Sequence, residues 1–429
     1  MRKRLLGTFI LSLCIMVVLP CLLFASGEAE NAKGSEKITL KFFETMTSPS
    51  RTQYLQELIA RYEAQNPNIH IELISPPYEQ SDNKLTMMLN SNQELDIVEV
   101  RDYHLKQFVN NGKLRDLSDY IDNWDQKDDL LDLTVAASKT VNNTPYLIPQ
   151  FFYVKALLVR TDILEKYDIA IPSNLDEFYA ACEELSKKAP GQYGYALRGK
   201  SNTFKISDVL IAGNVGNINP DFFYEDMNGN FWLDNENGRK ALAEYVELYK
   251  KGSPSDSIGW GFNEQINGFV SGATPFLIQD PDVFMAFEGQ LDPSQYTVVP
   301  IPTGTSGKRY LEYGFNGPAI PVTSKHPDEA WDFIKFMLSE EESAAFCKFY
   351  GPLPIQKSVF EDDPYFSSGK YEGWAEEMNS PNSIFAKYPM DDSRWPGWGQ
   401  YQETTMQALL LGNATIDETI ELWKEYWGF

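Results

Sequence analysis

From residue 37 onward, the spacing of apolar residues switches repeatedly between two and three or four, and this alternation restricts the fold more than any other feature. Apolar residues at every second position predict strands, and recurrence at three and four predicts helices. The predicted elements are, in order, strand 37–43, helix 51–65, strand 69–74, helix 84–89, strand 96–100 and helix 105–110. This βαβαβα order predicts an α/β fold with a mostly parallel sheet flanked by helices.

A second run of elements begins after Pro149 and restarts the same pattern. Its predicted elements are strand 154–159, helix 175–187, strand 193–197, a hairpin turn at Asn228-Gly229 and helix 238–251. The length of 429 residues exceeds what one hydrophobic core usually organises. We therefore expect two lobes.

Residues 1–27 have the composition of a secretory signal peptide. Met1 is followed by three basic residues, residues 5–24 are almost wholly apolar, and residues 25–27 are the small residues that signal peptidase accepts. Two alternatives stay open, namely an uncleaved membrane anchor, because about 20 apolar residues span a bilayer, and lipid attachment at Cys21. In each case the rest of the chain is exported, with residues 28–36 as a flexible leader.

The chain is strongly acidic, with 61 Asp and Glu against 37 Lys and Arg. Such a surface repels nucleic acid and anionic lipid, so we expect no nucleic-acid partner. Beyond residue 27 only Cys182 and Cys347 remain, which are too few for a disulfide framework. The three histidines lack a metal-ligand spacing, and we expect neither a metal nor a cofactor.

Several short segments follow one another in a specific order along the chain. They are the opening strand 38–43, Arg61-Tyr62-Glu63-Ala64-Gln65-Asn66-Pro67, Asp96-Ile97-Val98, Leu114-Arg115-Asp116-Leu117, Pro145-Tyr146-Leu147-Ile148-Pro149, Gly272-Ala273-Thr274-Pro275-Phe276, Gly317-Pro318-Ala319-Ile320, Ala330-Trp331-Asp332-Phe333 and Gly351-Pro352-Leu353-Pro354. Each is weak alone, but their order and spacing resemble those of the family 1 extracellular solute-binding proteins. These are the maltose-binding-protein-like receptors of ABC-type importers, and the resemblance covers nearly all of the chain beyond the signal segment.

The resemblance implies a two-lobed periplasmic-binding-protein fold of type II, whose lobes are joined by a multi-segment hinge. It places residues 37–147 and 308–353 in an N-terminal lobe, and residues 150–303 and 358–429 in a C-terminal lobe. The implied function is periplasmic or other extracytoplasmic capture of a carbohydrate, an oligosaccharide or glycoside, for the permease subunits of an ABC importer. We expect a monomer without enzymatic activity, and hinges near residues 146–153, 303–308 and 351–355.

The candidate ligand-binding side chains follow predicted strands and crossings, because ligands of open parallel sheets bind beyond the carboxyl ends of strands. A sugar presents an apolar ring face and fixed hydroxyls, which suit aromatic rings beside carboxylates and amides. The candidates are Glu44, Gln80, Asp102, Tyr103, Tyr153, Asp280, Asp282, Asn316, Arg394, Trp395 and Trp398. The two tryptophans, three residues apart, form the candidate sugar platform, with packing between the lobes as the alternative.

Other functions remain compatible with these residues. Tyr153 stands where a maltodextrin receptor would present a carboxylate, so the resemblance does not extend to maltose itself. Paired carboxylates beside aromatic rings would also suit a carbohydrate-active hydrolase. Against a hydrolase, the sequence lacks a nucleophile elbow, a phosphate-binding glycine loop and an HExxH helix. A receptor of the same fold for a non-sugar solute, or for a sensor, is the other alternative.

Overall fold

The computed structural model describes residues 37–429 except 202, 288 and 391, and the side chains of Glu79 and Pro396 are not described. The predicted signal peptide and leader lie outside the described residues. Residues 38–429 form one contact-connected unit. Within the described part of the chain, no helix is both long enough and apolar enough to cross a bilayer.

Strands and helices alternate along the described chain. The strands are β1 Ile38–Phe43, β2 Ile69–Ile74, β3 Ile97–Arg101, β4 Phe151–Val154, β5 Ala156–Val159, β6 Ile218–Asn219, β7 Phe222–Asp226, β8 Phe276–Gln279, β9 Thr297–Val299, β10 Arg309–Leu311, β11 Tyr313–Ala319 and β12 Ser383–Phe385. The helices are α1 Pro49–Gln65, α2 Tyr78–Asn90, α3 Asp102–Asn110, α4 Ser118–Asp122, α5 Asp132–Ser138, α6 Thr161–Tyr167, α7 Leu175–Leu185, α8 Phe204–Val215, α9 Glu236–Glu247, α10 Phe262–Val270, α11 Val283–Phe287, α12 Pro327–Met337, α13 Glu340–Tyr350, α14 Lys357–Asp362, α15 Pro364–Ser367, α16 Glu372–Asn379, α17 Trp395–Leu410 and α18 Ile416–Trp427.

The first sheet has the strand order β2-β1-β3-β11-β4. Its strands β2, β1 and β3 are parallel, as the βαβαβα pattern predicts. β11 enters from much later in the chain and runs antiparallel to both β3 and β4. We call this sheet and the helices packed on it the first lobe. Its core includes α1, whose buried side chains recur along one face and whose end at Gln65 matches the predicted stop at Asn66-Pro67.

The second sheet has the order β8-β5-β9. Both of its strand pairs are antiparallel, so the expectation of a mostly parallel sheet is wrong for this lobe. The predicted strand 193–197 is reduced to a single parallel bridge between Tyr195 and Phe276. Apolar spacing predicts which residues are extended, but strand direction depends on which distant segments pair. We call this sheet, together with α7, α8, α9, α17 and α18, the second lobe.

The chain passes between the lobes at several places. Lys155 separates β4, which pairs in the first sheet, from β5, which pairs in the second. The chain returns between β9 and β11, and it leaves the first lobe again after α13 through Gly351, which has a φ of +94°. Phe152 and Leu353 exchange backbone hydrogen bonds of 3.0 and 2.9 Å, which hold the first and last crossings side by side. The predicted residue limits of the two lobes stay a prediction.

Candidate ligand-binding cleft

A cleft of about 460 Å³ lies where several strands of the first sheet end and two helices of the second lobe begin. Its volume is in the range typical of small-molecule sites. The first lobe supplies Met46, Tyr78, Arg101, Asp102, Tyr103, Phe151, Tyr153, Gly314, Phe315 and Asn316, and the second lobe supplies Phe204, Lys205, Met390, Trp395 and Gly399. Five of the predicted site residues are therefore brought together, namely Asp102, Tyr103, Tyr153, Asn316 and Trp395.

A smaller cavity of about 230 Å³ adjoins this cleft. The two share Asp102, Tyr103, Phe315 and Met390, so one continuous surface connects them. The smaller cavity is otherwise lined by Lys106, Thr140, Val141, Asp221, Tyr313, Lys387 and Tyr388. A ligand longer than a single ring therefore has room to extend from the main cleft.

The end of β3 forms a fixed wall of the cleft. The Arg101 guanidinium is 3.0 Å from an Asp82 carboxylate oxygen and donates a 2.9 Å hydrogen bond to the Thr45 carbonyl. It also lies 4.6 Å from the centre of the Tyr78 ring and donates to the Tyr103 hydroxyl at 2.6 Å. Because its charge and both terminal nitrogens are engaged, Arg101 holds the aromatic side chains of this wall in place.

Asp102 is the first residue of α3 and faces both cavities. Its carboxylate accepts hydrogen bonds from the backbone N–H groups of Tyr103, at 2.8 Å, and Phe315, at 3.4 Å. Burial raises the pKa of Asp102 to about 6, against the opposing effects of the positive charge of Lys205 and of these backbone donors. The site therefore contains a carboxyl group that is ionised at neutral pH and able to accept hydrogen bonds from a ligand.

Asn316 provides an unpaired amide at the base of the cleft. It is only 2% exposed, and neither the oxygen nor the nitrogen of its side chain has a hydrogen-bond partner among the described residues. Gln150, whose backbone N–H donates to the Asn316 carbonyl at 2.8 Å, is 1% exposed and its side chain is equally unpaired. A buried amide without partners is rare and indicates a place for polar groups of a ligand or for ordered water.

The two predicted platform tryptophans have different environments. Trp395 lines the cleft and packs edge-on against Phe204, with ring centres 5.4 Å apart. Trp398 is 1% exposed, packs against Trp423 and donates its indole N–H to the Tyr224 hydroxyl at 2.6 Å. The Trp398 ring is therefore not presented to the cleft, contrary to expectation, and Trp395 stays a predicted platform.

The physical reason lies in where α17 begins. α17 begins at Trp395, with a proline near its start where a missing N–H costs nothing. Both tryptophans therefore lie on a helix that packs against α18 and α8, and its inner face buries Trp398.

Three other predicted site residues lie away from the two cavities. Glu44 is fully buried and paired with Arg51. Gln80 is exposed on the first turn of α2. Arg394 pairs with Asp392 at 2.5 Å and donates to the Trp427 carbonyl, so it links the segment before α17 to the end of α18. None of the three is among the described residues that line the cavities.

Asp280 and Asp282 belong to a charge cluster where the chain changes sheet. The Lys155 ammonium lies 3.3 Å from both Asp280 oxygens and also donates to Glu312. Burial opposes the charge of Lys155, but the two carboxylates outweigh it and the pKa of Lys155 is raised. Burial and then the charge of Asp280 raise the pKa of Asp282. These two aspartates are not among the described cavity-lining residues, and their contact with a ligand stays a prediction.

Sequence reasoning missed the residues that α8 and the loop before α17 contribute, namely Phe204, Lys205 and Met390. One available signal was Thr203, a residue type that favours helix N-termini, directly before an apolar helical run. The pattern predicts a helix there, but not that its first turn faces the first lobe.

Two sheets on separate lobes, several crossings and a cleft with aromatic and unpaired polar side chains define a two-lobed ligand-binding protein. The sequence profile of the bacterial extracellular solute-binding protein family matches residues 48–344. The chain belongs to this family. The two-lobed α/β fold class expected from the sequence is confirmed, apart from the strand directions of the second sheet, and both family and fold are those of binding proteins.

Individual proteins agree with this assignment. A protein of Brucella abortus named as a binding protein is 23% identical over 90% of this chain and 91% of its own. An uncharacterized ABC transporter extracellular-binding protein of Pyrococcus horikoshii is 24% identical over 77% of this chain and 76% of its own. The structure of the sugar-binding protein MalE of Xanthomonas citri matches with a TM-score of 0.78 at 19% identity, covering 90% of this chain and 96% of that one. At 19% identity, the similarity to the Xanthomonas citri protein shows a shared fold.

Proposed function

We propose that the chain captures a carbohydrate in the interlobe cleft and delivers it to an ABC-type importer. The observation that carries the proposal is the composition of the cleft, where the ring of Trp395 lines the same space as Asp102 and the unpaired amide of Asn316. An aromatic ring receives the apolar face of a sugar, while a carboxylate and an amide bind its hydroxyl groups. The continuous second cavity favours an oligosaccharide or glycoside over a single ring.

The relatives support the same function. The Xanthomonas citri protein is described as sugar-binding, and the Pyrococcus horikoshii relative as part of an ABC transporter. We extend both properties to this chain, which would act outside the cytoplasm as a monomer, guided there by residues 1–27, and would pass its ligand to membrane permease subunits without cleaving it.

Ligand binding would act by closing the lobes. A ligand that contacts both walls stabilises the closed state because the open state lacks half of those contacts. The predicted hinges at residues 146–153, 303–308 and 351–355 lie on or next to the crossings between the sheets. The charge cluster of Lys155, Asp280 and Glu312, in which Asp280 is partly exposed, lies at the first of these crossings and links three chain segments.

Replacing Trp395 by alanine is the direct test. We expect Trp395→Ala to weaken carbohydrate binding by about 2 kcal/mol, roughly thirtyfold in Kd, because an aromatic contact surface in the cleft is lost. A thermal-shift screen of the purified mature protein against mono- and oligosaccharides, polyols, amino acids and polyamines would find the ligand, and calorimetry would then compare affinities.

Trp260→Ala is the matched control. Trp260 is also partly buried and donates its indole N–H to Asp256 at 3.3 Å, but it is not among the described cavity-lining residues. This substitution should leave the affinity within about twofold of that of the unchanged protein.

If only a non-sugar solute binds, the assignment as a binding protein stands and the assignment of a carbohydrate ligand is rejected. Cleavage of a glycoside by the purified protein would instead favour the hydrolase.

A further inference from the structure

The charge of the cleft is opposite to that of the whole chain. Acidic residues outnumber basic ones by 61 to 37 over the full sequence. Of the charged residues described as lining the two cavities, four are basic, namely Arg101, Lys106, Lys205 and Lys387, and two are acidic, namely Asp102 and Asp221. A local excess of one sign in a concave, partly desolvated site attracts a ligand of the opposite sign.

These cations differ in how they are paired. Arg101 has a carboxylate partner at 3.0 Å, and Lys387 has one in Asp221 at 3.2 Å. Lys205, which lines the main cleft, has no carboxylate at ion-pair distance among the described residues. The positive charge of Lys205 acts on the Asp102 and Glu312 carboxylates, but its ammonium group forms no ion pair with either of them and can bind a ligand.

Lys205 lies in the first turn of α8, the helix Phe204–Val215, which begins at the cleft. The N-cap residue Thr203 makes no capping hydrogen bond, and its hydroxyl donates to the side-chain oxygen of Gln402 at 2.6 Å. The positive end of the helix dipole lies beside this lysine. Both features favour a negatively charged group at the same place.

Asn316 supplies a second polar group on the opposite wall of the cleft. It lies on β11, in the other lobe, and lines the same cleft as Lys205. Its side chain is 2% exposed and unpaired at both ends, so it requires a partner that offers both a donor and an acceptor. A sugar hydroxyl is such a group.

We infer that the ligand is a carbohydrate that bears a carboxylate, which binds the ammonium of Lys205 at the N-terminus of α8, while its hydroxyl groups bind Asn316 and Asp102. The inference rests on the proposed carbohydrate function and specifies its ligand class. A charge-assisted hydrogen bond in a partly desolvated cleft is roughly twice as strong as a neutral one, so the carboxylate would decide the specificity.

The test compares acidic sugars with their neutral counterparts. The probes are glucuronate, galacturonate and mannuronate, from monomers to tetramers, against the corresponding glucose, galactose and mannose series, with the 6-phosphates of the three hexoses as a separate arm. Thermal shift and calorimetry on the mature protein should find an acidic member that binds at least about tenfold more tightly than its neutral counterpart. The affinity difference should shrink as NaCl rises from about 50 to about 500 mM.

Variants of Lys205 separate the effect of its positive charge on ligand preference from the effect of its side-chain shape. Lys205→Met should reduce the preference for the acidic member by at least about tenfold, and Lys205→Arg should retain most of it. Lys200→Met, which removes an exposed lysine outside both cavities, is the control and should leave the preference unchanged. The melting temperature of each variant without ligand shows whether it is folded.

The outcomes are distinct. If a neutral sugar binds as tightly as its acidic counterpart, or if the preference for the acidic sugar persists in Lys205→Met, the inference of a ligand carboxylate is wrong. The proposed carbohydrate-binding function is unaffected by either result. If the sugar phosphates bind and no uronate does, the inference that the acidic group of the ligand is a carboxylate is likewise wrong. If neither acidic nor neutral sugars bind while another solute does, the proposed function itself fails.

Discussion

Arg51→Met is expected to lower the free energy of unfolding by about 3–5 kcal/mol, because it leaves two carboxylates buried without a counter-ion. Arg51, Glu44 and Glu99 each have no exposed surface. The Arg51 guanidinium lies 2.9 Å from Glu44 and also pairs with Glu99. Methionine fills a similar volume but supplies no charge, so the cost measures the loss of pairing more than the loss of packing.

The same cluster shapes one edge of the cleft. The Glu99 carboxylate accepts hydrogen bonds from the backbone N–H groups of Thr45, at 2.8 Å, and Met46, at 3.3 Å, directly after β1. Met46 lines the cleft. We therefore expect Arg51→Met to weaken ligand binding as well as stability, since the segment that Glu99 holds would no longer be fixed.

Arg61→Met is the matched control on the same helix. Arg61 binds Glu342 at 2.6 Å; the Arg61 side chain is 43% exposed and that of Glu342 is 9% exposed. Because the Arg61 guanidinium stays in contact with water and pairs with one carboxylate only, Arg61→Met should cost clearly less than Arg51→Met. Urea unfolding followed by circular dichroism gives both values. Equal losses for the two variants would show that the Arg51 cluster does not carry a buried-charge penalty.

This cluster illustrates why the sequence predicted some of the site and misplaced other parts. Glu44 follows β1 at the carboxyl edge of the sheet, so its position was predicted correctly from local spacing. Glu99, the other carboxylate that Arg51 binds, lies on β3, and β1 and β3 are neighbours only because the sheet order brings them together. Whether a carboxylate at a strand end faces a ligand or an arginine depends on such distant pairing.

The fold shows the same division between local and distant information. The helix of residues 51–65 and the strands of the first lobe were predictable because their apolar faces repeat within one segment. The antiparallel second sheet was not, because its neighbours β8, β5 and β9 are far apart in the chain. In the cleft, Asp102 directly follows β3 and obeys the strand-end rule, whereas Asn316 lies in the middle of β11. Lys205 enters from a helix whose orientation only tertiary packing determines.

The second large effect is expected from Asp208, which should make the free energy of unfolding depend on pH. It is 1% exposed on α8, and burial raises its pKa to about 8, although hydroxyl groups including that of Tyr224, at 2.9 Å, donate to it. In the unfolded chain an aspartate has a pKa of about 3.9. Between these two values the folded state holds a proton that the unfolded state has lost, so stability falls as pH rises, by up to about 1.4 kcal/mol per pH unit.

Asp208→Asn removes this titration while keeping an oxygen that accepts from Tyr224. Relative to the unchanged protein, the variant should therefore gain stability steadily from about pH 5 to about pH 8, by several kcal/mol in total. Asp125→Asn, at an exposed position, is the control and should follow the unchanged protein. Urea unfolding at each pH supplies the comparison. Parallel curves for Asp208→Asn and the unchanged protein would mean that Asp208 is ionised in the fold, and that the hydroxyl groups around it fully offset the cost of burying its charge.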